Sequence, residues 1–285
     1  MTALTARPPR RGKIPGLGVT ALLVVGFVLL AAPFIWMTLA SLKSAPELAR
    51  QPPTWIPQHP TAVNYRGLTQ RLDMPRYFMN SSIVAGIVTV ANLVFCSMLG
   101  YALAKLRFPG RNKIFGLVLA TLMVPSTVLV IPLFALMSRL GLVNTYAALI
   151  LPFAVGPFGV FLMRQFMLGV PDSLLESGRI DGASEFFLFW RVALPLVTPG
   201  LATLGILTFL SSWNNFIWPL IVLNDEQLYT LPVALATFAV DPNRSQGSNG
   251  LLMAGSLVVV LPVIVVFIVL QRYFVRGIAM TGIKG

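Results

Sequence analysis

Nine carboxylates, one histidine and one cysteine are all the carboxyl, imidazole and thiol chemistry that the 285 residues offer, and they form no catalytic or metal-binding constellation. His59 stands in a proline-rich segment without an acidic or thiol neighbour, so it reads as a surface residue rather than a ligand. Cys96 has no second thiol to pair with, and its apolar surroundings make it an ordinary buried side chain. The phosphate-cradling pattern G-x-x-x-x-G-K-[ST] is missing too, because Gly12-Lys13-Ile14 lacks the hydroxyl it needs. Two groups of residues remain. The first is neutral and lies in apolar sequence: Asn80, Ser81, Ser82, Thr89, Asn92, Ser211, Ser212, Asn214 and Asn215, the last pair within Trp213-Asn214-Asn215-Phe216-Ile217-Trp218-Pro219. Such side chains can hydrogen-bond a hydroxyl-bearing solute, or they can join helices and form an interfacial aromatic belt. The second is a segment, 164–195, in which Asp172, Glu176, Asp181, Gly182, Ala183 and Ser184 precede Phe186, Phe187, Phe189 and Trp190.

The elements that position these residues follow from hydropathy. The chain is 56% hydrophobic and 11% charged, with a mean hydropathy of +0.81. A soluble domain carries about 25% charged residues, and a disordered chain needs low hydropathy. Six uncharged apolar stretches, 17–42, 77–104, 114–137, 146–163, 196–223 and 251–270, approach or exceed the ~20 residues that cross a bilayer. Their continuous apolarity excludes the period-two pattern of a barrel. The expected fold class is therefore all-α integral membrane with six transmembrane helices, the prolines at 33, 125, 132, 152, 157, 219 and 262 being tolerated inside them. The first stretch is too long for a cleavable signal and predicts a retained anchor. What is left over is too scattered for a soluble catalytic domain, so no enzyme activity is expected.

The charge of +12 is a topology signal. Arg7, Arg10, Arg11, Lys13, Lys105, Arg107, Arg111, Lys113, Arg164, Arg179, Arg191, Arg272, Arg276 and Lys284 fall on one side of the six stretches, and the other seven of the 21 Lys and Arg on the opposite side. That asymmetry places both termini in the cytoplasm and gives no reason to invoke nucleic acid. The segment 43–76, with six prolines, Trp55 and Tyr65, is expected to be an irregular external loop with aromatic rings near the headgroups. Secondary carriers usually place charged residues at the membrane midplane. None falls within these stretches, so either the protein is passive or another chain supplies the energy. In the long cytoplasmic segment, Asp172 or Ser173 predicts an N-cap with Glu176 in the first turn of a short helix to about Ile180. Asp181-Gly182-Ala183 predicts a turn, and Ser184 the cap of a second helix running to Pro195. This hairpin is either an interfacial element resting on lipid or a docking knob for a partner protein.

Glu176-Ser-Gly-Arg-Ile-Asp-Gly-Ala183, followed by Phe189, Leu194-Pro195 and Pro199, resembles the EAA loop of permease subunits of binding-protein-dependent ABC importers. The match is to the carbohydrate branch, specifically the maltose-type second permease, and it is supported by Asn80-Ser81, Trp213–Pro219 and the tail from Gln271 to Gly285. Ser177 and Gly178 depart from it, standing where the family usually has alanines. The resemblance implies a type I importer fold with a core domain at 77–272, an EAA-like loop at 165–195, and flanking segments 1–76 and 273–285. It implies coupling to an ATPase through Glu176, Asp181, Gly182 and Ala183, with Ser184 beside them. It implies as partners a homologous second permease, a cytoplasmic ATP-binding subunit dimer and an extracytoplasmic solute-binding protein, in the bilayer of the bacterial inner membrane. ATP and Mg would be used by the ATPase, with no cofactor on this chain. Asn80, Trp213, Asn214, Asn215, Phe216 and Trp218 are the expected substrate path for a sugar, and the external loop 224–250 is the expected contact for the binding protein. Other readings are import of glycerol 3-phosphate or a polyol, an ion-coupled carrier or passive channel, and a nonconducting scaffold.

Overall fold

The computed structural model describes residues 16–241 and 249–281. The basic residues Arg7, Arg10, Arg11, Lys13, Arg244 and Lys284, most of the polar end of the 224–250 loop, and the tail residues 282–285 lie outside them. Among the described residues every regular element is helical: α1 (Leu17–Ser41), α2 (Val63–Arg71), α3 (Met74–Lys105), α4 (Arg111–Leu122), α5 (Val130–Arg139), α6 (Tyr146–Ile150), α7 (Pro157–Leu168), α8 (Asp172–Ile180), α9 (Glu185–Leu196), α10 (Thr198–Trp213), α11 (Ile217–Val222), α12 (Leu231–Val240) and α13 (Asn249–Thr281).

Among the described residues three helices are long and apolar enough to cross a membrane, Gly18–Ser41, Met74–Lys105 and Asn249–Val269. Two bent pairs join them, Tyr146–Phe153 with Pro157–Leu168 at 41° and Glu185–Leu196 with Thr198–Trp213 at 82°. The first, second and sixth expected stretches are thus single helices. The third, fourth and fifth are not continuous: 114–137 is divided into α4 and α5, 146–163 into α6 and α7, and 196–223 into α10 and α11. Proline is the cause, because Pro125 and Pro219 have no N–H and their rings clash with the carbonyl four residues earlier. Pro33 and Pro262 sit inside the long helices α1 and α13. Pro132, Pro157 and Pro219 occupy first turns, where an N–H has no intrahelical partner anyway.

The segment 43–76 is less irregular than its prolines suggest. Helix α2 is pinned because the Asn64 carboxamide donates to the carbonyls of Ser41 at 2.8 Å and Lys43 at 2.7 Å, just past the end of α1. Lys43 is buried, its ammonium bonded to the Thr54 carbonyl and over the Trp36 ring. Trp55 remains 77% exposed and meets Trp36 edge-on at 5.6 Å. His59 is exposed.

Helix α3 is the centre of the bundle, with α7, α10 and α12 packed on it. Its approach to α7 is close: a Cβ added at Gly100 would lie 2.8 Å from both Met163 Cβ and the Arg164 backbone nitrogen. Gly100→Ala is therefore expected to push the helices apart and lower stability by about 1–3 kcal/mol, read as the thermal midpoint in detergent. Gly86→Ala on the same helix meets nothing within 4 Å and is expected to leave the midpoint unchanged or raised. Side chains pack in three clusters. One, around Tyr101, Met163, Leu175 and Leu188, lies at the end carrying residues 169–197, which join α7 to α10 and hold most of the expected 165–195 loop. A second surrounds Trp213 and Phe238, and a third Trp218 and Met137.

Candidate functional site

A proline leaves the carbonyl four residues before it without its helical donor, and in an apolar medium that carbonyl must find another. Before Pro152 the carbonyl is that of Ala148, and Trp218 Nε1 donates to it at 2.9 Å. Before Pro157 it is that of Phe153, and Asn92 Nδ2 donates to it at 2.7 Å while Asn92 Oδ1 accepts the Gly156 N–H at 2.9 Å. Trp213 Nε1 donates at 2.9 Å to the Val259 carbonyl, in the turn preceding Pro262. Asn80 Nδ2 donates to the carbonyls of Gln227 and Tyr229, each at 2.9 Å, and its Oδ1 accepts from the Tyr146 hydroxyl at 2.6 Å. Beside it, Ser81 Oγ accepts the Leu231 N–H at 2.8 Å. All five side chains are buried.

These bonds show where the residues of the expected substrate path sit. The Asn80 carboxamide nitrogen and the Trp213 and Trp218 indole N–H groups donate to the chain's own backbone, and the Asn80 oxygen accepts from the Tyr146 side chain. Asn214, Asn215 and Phe216 differ, because they form the nonhelical link between α10 and α11. Asn214 is exposed with its Nδ2 donating back to the Leu210 carbonyl at 2.9 Å, and Asn215 and Phe216 are half-buried. Asn92 is the residue that sequence reasoning left unassigned; the signal for it was Pro157, whose missing N–H requires a donor from elsewhere.

The 169–197 loop is built locally. Helix α8 buries Leu175 and ends in a paired cap: the Gly182 N–H donates to the Arg179 carbonyl at 3.1 Å and the Ala183 N–H to the Gly178 carbonyl at 2.9 Å. This cap places Gly182 at φ +81°, a region that glycine enters without strain. Ser184 Oγ then accepts the Phe187 N–H at 3.2 Å and starts α9, which passes through a π segment at Leu188–Ala193. Gly178, the departure from alanine, faces Leu188: an added Cβ would fall 2.5 Å from Leu188 Cδ2. Two details differ from expectation. Asp172 is the first helical residue rather than the cap, since Pro171 precedes the helix and no side chain caps it. Glu176 consequently lies in the second turn.

Ion pairs fasten this loop to α3. Lys105 Nζ donates to the Val170 carbonyl and to Asp172 Oδ1, each at 2.6 Å. Arg179 forks onto Glu185, Nε to Oε1 at 2.6 Å and Nη2 to Oε2 at 3.3 Å, and the Tyr101 hydroxyl donates to Glu185 Oε2 at 2.8 Å. The Arg179 guanidinium holds the Glu185 carboxyl below the ordinary glutamate range, against partial burial and with help from Tyr101. Lys105 does the same for Asp172. Facing outward are Glu176, Asp181, Gly182 and Ser184, with Ala183 half-buried among them. An apolar rim surrounds them, with Ile180 at 86% and Phe186 at 64% exposure. Exposed apolar side chains bordered by polar ones suit contact with another protein rather than a small molecule.

Comparison with known proteins gives this geometry a family. The profile described as "Binding-protein-dependent transport system inner membrane component" matches residues 96–280, a span that contains the whole loop. The chain belongs to this family. It is accordingly a membrane transport component and not an enzyme. It is 42% identical over 272 residues to the arabinooligosaccharides transport system permease protein AraQ of Halalkalibacterium halodurans, covering 93% of this chain and 96% of that one. It is 31% identical over 267 residues to the sn-glycerol-3-phosphate transport system permease protein UgpE of Brucella abortus, covering 91% and 94%. Among solved structures, a chain of a bacterial ABC transporter involved in the import of the acidic polysaccharide alginate superposes with a TM-score of 0.82 at 25% identity, covering 95% of this chain and all of that one.

Proposed function

We propose that the chain forms half of the translocation path of an ATP-driven importer for a sugar or oligosaccharide. The observation that carries this reading is the exposed knob of the 169–197 loop, held rigid by its own cap and ion pairs and fastened to the central helix α3. Glu176, Asp181, Gly182, Ala183 and Ser184 are its contact for a cytoplasmic ATP-binding subunit dimer, which uses ATP and Mg. This chain binds neither. A homologous second permease completes the path, and an extracytoplasmic solute-binding protein delivers the solute to the side of the 224–250 loop. The chain makes six passes, the third through α4 and α5 together, with both termini in the cytoplasm of a bacterial cell.

Asn214, Asn215 and Phe216 are the path residues, since a break between helices exposes carboxamides and an aromatic edge to a hydroxylated solute. The sugar assignment is supported by the AraQ resemblance. Glycerol 3-phosphate is the second reading, favoured by the resemblance to UgpE; against it stands the lack of any Lys or Arg in the link from 214 to 216. Uptake by cells lacking this chain, measured over neutral oligosaccharides and glycerol 3-phosphate, decides between them. Loss confined to oligosaccharides supports the proposal, and loss confined to glycerol 3-phosphate replaces it.

A further inference from the structure

We propose that α3 is the rod that carries movement of the 169–197 loop to the rest of the chain, and that Tyr101 and Glu185 form the joint at its loop end. This rests on the reading of that loop as the docking site for the ATPase.

The argument comes from where α3 is fastened. Over 32 residues, about 48 Å at 1.5 Å per residue, it has no break. Tyr101 and Lys105 lie four residues apart, hence on one face at its loop end. Lys105 holds the start of the first loop helix through Asp172 and the Val170 carbonyl. Tyr101 holds the second through Glu185, with its ring 3% exposed and 5.4 Å from Phe189. Glu185 is also where Arg179 of the first loop helix meets the second, so one carboxylate joins both loop helices to α3. Midway along α3, Asn92 clasps both sides of the 41° bend before α7. At its far end, Asn80 and Ser81 hold the backbone from Gln227 to Leu231, which leads into α12. By contrast α7, the other helix running into the loop, is bent away from its partner α6 and cannot act as a single stiff piece. A rigid helix fastened at both ends and the middle moves all three attachments together when one end is displaced. Tyr101 and Glu185 are therefore positioning residues: they touch no solute and no nucleotide, and they set how firmly the loop grips the rod.

The test uses the complete importer, with both permeases, the ATPase and the solute-binding protein, in proteoliposomes. It records uptake and ATP hydrolysis together. Tyr101→Phe removes one hydroxyl from a buried ring and is expected to lower uptake about tenfold while ATP hydrolysis stays within about twofold, the scale of one lost hydrogen bond to a charged group. Glu185→Gln is expected to uncouple in the same way, and the double variant to be no worse than the more severe single one, because both break one joint. Purely structural damage would instead lower ATP hydrolysis in step with uptake, and that result overturns the proposal. So does normal uptake by Tyr101→Phe in a complex that Gly182→Pro inactivates. Normal uptake by Gly182→Pro as well sinks the docking reading itself. If Tyr101→Phe does not assemble, the ratio of ATP hydrolysed to solute imported by Glu185→Gln decides alone: a ratio near that of wild type rejects the joint.

Discussion

Gly182→Pro is expected to leave the chain inserted at normal abundance and to reduce uptake at least about a hundredfold, a loss of ~2.7 kcal/mol or more in coupling. Gly182 sits at φ +81°, whereas a proline ring fixes φ near −65°, so the turn between the loop helices cannot form around it. Proline also deletes the N–H that caps the Arg179 carbonyl. An added Cβ at this position meets no atom within 4 Å, so the damage is confined to backbone conformation and spares the buried core. Gly182→Ala should fall between, since a non-glycine residue in the left-handed region costs about 1–2 kcal/mol. The measurement pairs uptake with immunodetection of the inserted chain and with ATP hydrolysis stimulated by the solute-binding protein. Normal uptake by Gly182→Pro would remove the loop from the transport mechanism.

Asn92→Leu is expected to be strongly destabilising although it nearly conserves size. Leucine fills the space but leaves without partners the Phe153 carbonyl, whose helical donor is missing at Pro157, and the Gly156 N–H. Two half-buried polar groups without partners cost about 2–4 kcal/mol in total. The effect is read as a lowered thermal midpoint in detergent and lower abundance in the membrane. Asn214→Ala provides the contrast. Asn214 is exposed and bonds only within its own helix end, so stability should change by less than about 0.5 kcal/mol. If Asn214 lines the path, uptake falls nonetheless. A stable Asn92→Leu protein would show that the bend does not depend on this clasp.

How legible the molecule was depends on how far apart the interacting residues are. The loop could be read because its signals are local: Ser184 caps the residue three ahead, and Gly182 and Asp181 make a turn from adjacent residues. Helices α1, α3 and α13 were legible from apolar runs alone. The divided stretches were not, because a membrane proline can either bend a helix or end it, and the outcome depends on whether a distant side chain donates to the freed carbonyl. The roles of Asn80, Trp213 and Trp218 were hidden for the same reason: their acceptors lie 147, 46 and 70 residues away in sequence. Gly178 looked like a weakness in its helix, costing about 1 kcal/mol relative to alanine. Its reason is Leu188, ten residues later on the facing helix, which occupies the space a side chain would need.

The central claim is that this chain moves solute only when a nucleotide-driven partner grips the 169–197 loop. Its most direct test is to reconstitute the chain in liposomes alone and with its second permease, ATPase and solute-binding protein, and to follow solute entry with and without ATP. The account predicts entry only from the complete assembly and only with ATP. Entry through the chain alone, or at an equal rate without ATP, would contradict it.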